Sequence, residues 1–167
     1  MDTKELDRLL VKMQEGDNLA FEKLYEGTRR GVYAFLYTYF HNAADTEDVM
    51  QTVYLRIKTS VSVYSQGTNA RAWILQIAKN CALDVLRKRK REVSSEEIEI
   101  LAEPTVGETT VLDTMKRTLN EEEQRIVTLH VLWEYKHREI AEMLGMPTGT
   151  VTSKYKRAIE KLRKALA

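Results

Sequence analysis

The side chains best suited to reading a polyanion gather near the C-terminus. Stepping about 100° per residue from Val151 keeps Tyr155, Ala158, Ile159 and Leu162 within about 80° of it, whereas Thr152, Ser153, Lys156, Glu160 and Arg157 fall between about 100° and 240°. One face of such a helix is a core stripe. The other carries short hydroxyls, which let a backbone approach a groove, and bases that reach phosphates or guanine edges. Upstream, Ile140, Ala141 and Leu144 share a face, Gly145 can supply a left-handed C-cap, Pro147 cannot continue a helix and Thr148 can cap the next. That order is the signature of a helix-turn-helix. A plain helical hairpin with a charged exterior shares the periodicity but lacks the combination of turn chemistry and clustered bases, so DNA binding is the expectation.

Two further stripes lie in the first half. Relative to Trp73, Ile74, Ala78, Cys81 and Val85 sit at about 80° to 140°, while Asn80, Asp84, Arg87 and Arg91 sit within about 40° of Trp73 itself. An aromatic that can stack bases, an amide that can read their edges and arginines that suit the adjoining duplex therefore share one stripe. Taken alone, Trp73 reads equally well as a core residue. The second stripe is Asp48, Gln51, Thr52, Leu55 and Thr59, opposite the apolar Val49, Met50, Val53, Tyr54 and Ile57. Leu55 framed by an acid and an amide is the composition of a protein-docking patch, although single exposed leucines are commonplace. His41, His130 and His137 have no mutual ligand spacing and read as surface or interface residues, and Cys81 reads as a small hydrophobe. No catalytic constellation, metal site, cofactor or small-molecule substrate is expected.

These stripes need helices to carry them. Leu6, Leu9, Leu10 and Met13 recur at helical spacing; Gly16, Asp17 and Asn18 punctuate; and Phe21 through Tyr39 continues a longer amphipathic pattern. Asp45 is expected to open a third helix, a loop to cover residues 60–68, and a fourth helix to run from about Asn69 to Arg91. In the second half, 112–119, 121–132, 137–144 and 148–166 read as four shorter helices. With 7 Gly, 2 Pro and no Asn-Gly or Asp-Gly hairpin signal, the fold class is all-α.

The chain has 167 residues, 43% hydrophobic and 31% charged, enough for one domain or two very small ones and too short for a large multi-domain enzyme. A net charge of +1 conceals segregation. Residues 1–91 carry 15 Lys and Arg against 11 Asp and Glu, residues 92–115 carry none against 7, and residues 116–167 carry 11 against 7. Two basic lobes, 1–91 and 116–167, are thus joined by an acidic linker, 92–115, which holds Pro104 and Gly107. The linker is expected to be poorly packed, although it could instead clamp the lobes by lying on a basic helix. A basic helix in each lobe suits a polyanion touched at two places, or simply two solvated faces. A lone cysteine and an N-terminus bearing Asp2, Lys4, Glu5, Asp7 and Arg8, with no apolar run, point to a cytoplasmic protein, and the expected DNA binding would place it on the nucleoid.

Together these residues resemble a known family. Asp45, Thr46, Glu47, Asp48, Val49, Met50 and Gln51, followed by the run from Arg71 to Asn80, look like region 2 of the extracytoplasmic-function sigma factors. Gln124 and Arg125, then Glu139, Ile140 and Ala141, and finally the run from Gly149 to Ser153, look like their region 4. The resemblance covers nearly the whole chain in the right order. It implies two small helical domains, and a transcription initiation factor that binds core RNA polymerase and promoter DNA without catalysis of its own, restrained by an anti-sigma factor. By the same resemblance, Asp45, Glu47, Asp48, Gln51 and Leu55 would dock on the clamp coiled coil of the largest polymerase subunit. Tyr64, Asn69, Arg71, Trp73, Asn80 and Arg87 would meet the opened minus-10 element. Thr150, Thr152, Ser153, Lys154, Lys156 and Arg157 would face the minus-35 element. The chain departs from the family pattern at two helix junctions. Asn120 follows Leu119 where Pro is usual, and Trp133, Glu134, Tyr135, Lys136 and His137 stand where an acid, a glycine and an aliphatic often precede the motif.

Two other readings remain open. A two-lobed repressor or activator would use the N-terminal helices to dimerise, but a homodimer seam would not normally centre on Asp48 and Gln51. An RNA-binding accessory protein would leave the helix-turn-helix without a role.

Overall fold

The computed structural model describes residues 1–93 and 110–167, and among these the chain forms eight α-helices and one 3₁₀ turn. They are α1 (Thr3–Gln14), α2 (Asn18–Phe40), α3 (Ala43–Ser60), α4 (Ala70–Val93), α5 (Thr110–Thr118), α6 (Glu121–Val131), α7 (His137–Leu144) and α8 (Thr148–Leu166), with the 3₁₀ turn at Val61–Val63 inside the expected loop. The all-α expectation holds for every described residue.

Local chemistry sets the boundaries and corrects two of them. Helix α3 begins at Ala43, before Asp45, because Asn42 is its cap: the Asn42 Oδ1 accepts from the Asp45 N–H at 2.8 Å and its amide donates to the Asp45 carboxylate at 2.7 Å. Thr148 does not cap α8 but is its first helical residue. Pro147, with φ −64° and ψ 146°, holds the cap position, and its carbonyl accepts from the N–H groups of Thr150 and Val151. Gly145 does adopt the left-handed conformation, at φ 66°. Asn120 fills the place of the usual proline by closing a capping box with Glu123, satisfying two backbone donors at once.

Helices α1 to α4 wrap a core centred on Leu6, Leu10, Leu24, Leu36, Ile57 and Ile74, each almost fully buried. That core runs without interruption into the second lobe through Ile126, Leu129, Trp133, Tyr135, Ile140 and Val151. A smaller cluster of Met115, Leu119, Val127, Ala158 and Leu162 ties α5 to α6 and α8. The lobes therefore touch directly: α2 lies against α6, Lys116 donates to the His41 carbonyl at 2.7 Å, the Tyr37 hydroxyl donates to Asp113 at 2.7 Å, and the Arg125 guanidinium lies 4.1 Å from the Tyr39 ring centre. Both ends of the acidic segment are helical, since α4 reaches Val93 and α5 starts at Thr110. The expectation of a poorly packed linker over 92–115, with Pro104 and Gly107, falls mainly on residues 94–109, outside the described residues; at its described C-terminal end Thr114 and Met115 are buried.

Candidate functional site

Helix α3 buries Thr46, Val49, Val53, Tyr54 and Ile57 and turns Glu47, Asp48, Gln51 and Leu55 to solvent. Leu55 is 63% exposed, although its neighbours one and two positions back are core residues. Asp45 stands apart. Its carboxylate receives both ends of the Arg89 guanidinium, at 2.8 and 3.0 Å, so it ties α3 to α4. That bond, together with the Asn42 amide and the Arg89 charge, holds the Asp45 pKa below its ordinary value of 3.8 against a smaller opposing effect of burial. A carboxyl depressed in the fold stabilises above its ordinary value and loses that contribution as pH falls through the folded one. Asp45→Asn is therefore expected to lower stability at neutral pH and to match the parent in strong acid. With the Arg89 and Asp45 side chains 45% and 33% exposed, the loss should stay under about 1 kcal/mol. Urea unfolding of both proteins across that range checks it; a deficit that persisted into acid would assign the effect to shape rather than charge.

Helix α4 presents Asn80 and Arg87 to solvent, with Trp73 half-buried on the same side. Asn80 accepts from the Gln76 amide at 2.9 Å, and Arg87 pairs with Asp84, which also receives Arg56. At the head of the helix, the Asn69 side chain accepts from the Ala72 N–H at 3.1 Å, which occupies it as a cap. Tyr64 lies beneath rather than beside these residues. It is buried, meets Trp73 edge-on at 5.1 Å between ring centres, and donates its hydroxyl to Asp7. Burial, reinforced by that hydrogen bond to Asp7, pushes the Tyr64 pKa up to about 12. Arg71 turns the other way: its Nη1 donates to the Trp133 carbonyl at 2.6 Å, in the second lobe.

In the helix-turn-helix, Ile140 and Val151 are fully buried and lock α7 against α8. Ser153, Lys156 and Arg157 are exposed, and among the described residues Lys156 and Arg157 form no ion pair. Thr150 is half-buried at the start of the same helix. Lys154 is turned back onto Glu122 of α6, and the Thr152 hydroxyl lies 2.9 Å from Nδ1 of His137. His137 belongs to a cluster with His130 and Tyr155, whose ring centres are 4.6 to 5.1 Å apart. Burial, then the His130 and Lys156 charges, lower the His137 pKa. Spacing gave no sign of this cluster, because three different helices contribute to it.

A model of sigma-70 region 2 matches residues 24–92, and a model of sigma-70 region 4 matches residues 110–162. The chain is 24% identical to the extracytoplasmic-function RNA polymerase sigma factor SigW of Bacillus subtilis, over 96% of each chain. It is 27% identical to the RNA polymerase sigma-H factor of Pseudomonas aeruginosa, over 99% of this chain and 96% of that one.

The chain is an extracytoplasmic-function sigma factor of the sigma-70 family.

As such it directs RNA polymerase to promoters through regions 2 and 4 and performs no catalysis itself. The fold of this sigma factor is also that of CnrH in its complex with the cytosolic domain of CnrY, with a TM-score of 0.63 and 18% identity over 97% of each chain. The sigma factor RpoE from Bartonella quintana, solved with the anti-sigma factor NepR, gives a TM-score of 0.64 and 23% identity over 87% of this chain and 96% of that one. Region 4 absorbs both junction departures. Glu134 takes a left-handed φ of 57°, the conformation for which a glycine is suited, and Asn120 caps where a proline would begin a helix. Among the described residues no helix is long and apolar enough to cross a membrane, and no three His, Cys, Asp or Glu side chains are grouped to hold a metal.

Proposed function

We propose that three surfaces divide the work of this sigma factor. Glu47, Asp48, Gln51 and Leu55 dock on the clamp coiled coil of the largest polymerase subunit, with Asp45 acting behind them by fixing α3 to α4. Asn69, Trp73, Asn80 and Arg87 receive the opened minus-10 element; Tyr64 supports Trp73 from below, and Arg71 joins them once released from Trp133. Thr150, Thr152, Ser153, Lys154, Lys156 and Arg157 form the minus-35 surface, on which Ser153, Lys156 and Arg157 are free to approach DNA directly. Residues 1–91 and 116–167 act as the two domains, connected by 92–115. The factor works in the cytoplasm, on the nucleoid, and is held in check by an anti-sigma factor, in keeping with the RpoE complex.

The observation that carries the reading is the exposure of Leu55 between Asp48 and Gln51 on a helix whose opposite face is core. Promoter-dependent run-off transcription with purified core polymerase tests the whole. A repressor or an RNA-binding protein yields no specific transcript.

The minus-10 surface has its own test. Stacking of a base on an aromatic is worth roughly 1 to 3 kcal/mol, and bidentate reading of a base edge by an amide roughly as much in discrimination. Asn80→Ala is expected to weaken the open complex while sparing binding of a duplex minus-35 fragment, because Asn80 is exposed and its side chain hydrogen-bonds Gln76 of the same helix. Permanganate footprinting of opened promoter DNA reads the effect, and identical footprints for variant and parent would leave Asn80 without a DNA role.

A further inference from the structure

We propose that this sigma factor carries an internal latch: the turn Trp133–Glu134–Tyr135 of region 4 seats on α2 of region 2, holds the free protein closed, and withholds Arg71 from promoter DNA. The last clause rests on the minus-10 reading of Arg71 above; the closure does not.

The decisive residue is Gly31. It lies inside α2, where glycine weakens a helix and its φ is not one that requires glycine. A Cβ at Gly31 would lie 2.9 Å from the Trp133 ring, to which its three nearest atoms all belong. The glycine thus serves the contact between regions rather than the helix. Trp133 is 5% exposed and donates its indole N–H to the Gly31 carbonyl at 3.0 Å. Its own carbonyl accepts from Arg71, whose guanidinium lies 4.9 Å from the Tyr135 ring centre. The turn is rigidly part of region 4, since the Tyr135 N–H returns to the Leu129 carbonyl at 3.0 Å and Glu134 holds the left-handed bend.

One feature favours release of the contact. Arg71 Nε is buried in it with no protein hydrogen-bond partner, a cost that opening relieves. Outside the latch, the polar contacts between regions are Lys116 on the His41 carbonyl, Tyr37 on Asp113 and Arg125 over Tyr39, and they flank the apolar packing of α2 on α6. While the latch is closed, the Arg71 guanidinium is engaged at both its Nη1 and its face, and the two DNA-reading helices are fixed relative to one another. A partner that binds only the open form must then overcome the closed population.

The test is Gly31→Ala in the full chain, which pushes Trp133 off while giving α2 a better helix former. Small-angle X-ray scattering should give a larger radius of gyration at unchanged helical content. Affinity for core polymerase should rise roughly tenfold, the gain expected if about nine-tenths of free molecules are closed. Arg71→Ala provides a second route to opening: it should expand the chain likewise and gain core affinity, yet lose affinity for a single-stranded minus-10 oligonucleotide. An unchanged radius in both variants would overturn the latch, and expansion without tighter core binding would overturn its inhibitory role. Expansion and tighter core binding with no oligonucleotide loss in Arg71→Ala would remove Arg71 from the DNA and, with it, the withholding. A parent that failed to bind core at all would count against the polymerase-docking reading, and the radius would still decide the closure.

Discussion

Leu55→Arg is expected to weaken binding to core polymerase by roughly 30-fold to a thousandfold, the loss of about 2 to 4 kcal/mol that follows when a central interface anchor is removed. The size of the effect comes from what surrounds the position. Leu55 is exposed in the free protein, so replacing it disturbs no packing in region 2, whose buried residues on α3 lie on the opposite face. In a docked state the arginine would have to bring its charge into a desolvated apolar contact beside the Gln51 amide. Helical content and thermal midpoint should therefore match the parent while core binding fails. Competition against the unmodified factor for a limiting amount of core polymerase measures it, and equal competition by the variant would remove Leu55 from the interface. A milder Leu55→Ala should fall between the two, since it deletes the anchor without adding a charge.

How far such surfaces could be read in advance depends on the range of the interactions that make them. Stripes on a single helix are local, so the Val151–Leu162 core face, the Asp48–Leu55 face and the Gly145 turn were legible from spacing alone. Capping is nearly as local, but it was misjudged at Asp45 and Thr148, because an asparagine three residues back and a proline one residue back took the cap positions. Contacts between distant residues left no periodic trace. Asp45 meets Arg89 across 44 residues, and Trp133 meets Gly31 across 102. Tyr64, which the resemblance brings to the minus-10 element, hydrogen-bonds Asp7 on α1, and Arg71 hydrogen-bonds a turn in the other lobe. The trace of the closed arrangement in the sequence is a glycine in the middle of a long amphipathic helix, and only its proximity to Trp133 in the fold gives it a cause.

On the recognition helix, phosphate contact and base reading can be separated by two substitutions. Lys156 and Arg157 are both exposed on α8 and leave Val151, Ala158 and Leu162 to hold the lobe, so alanine at either position should not unfold region 4. Lys156 presents a point charge, and its loss should weaken binding evenly across minus-35 sequences while lowering the salt dependence by about one unit. Arg157 presents a planar fork that matches the O6 and N7 of a guanine, and its loss should cost roughly 1 to 3 kcal/mol at one base pair and relax preference there. The neighbours favour this division. Lys154 is already drawn back onto Glu122, and Thr152 is bonded to His137, so the direct approach falls to Ser153, Lys156 and Arg157. Of these three, Arg157 alone can form two parallel bonds to one base. Binding of each variant to a panel of single-base minus-35 substitutions at several salt concentrations reads both effects. A uniform loss for Arg157→Ala across the panel would make it a second phosphate contact, and an undiminished affinity for both variants would take α8 out of the DNA interface altogether.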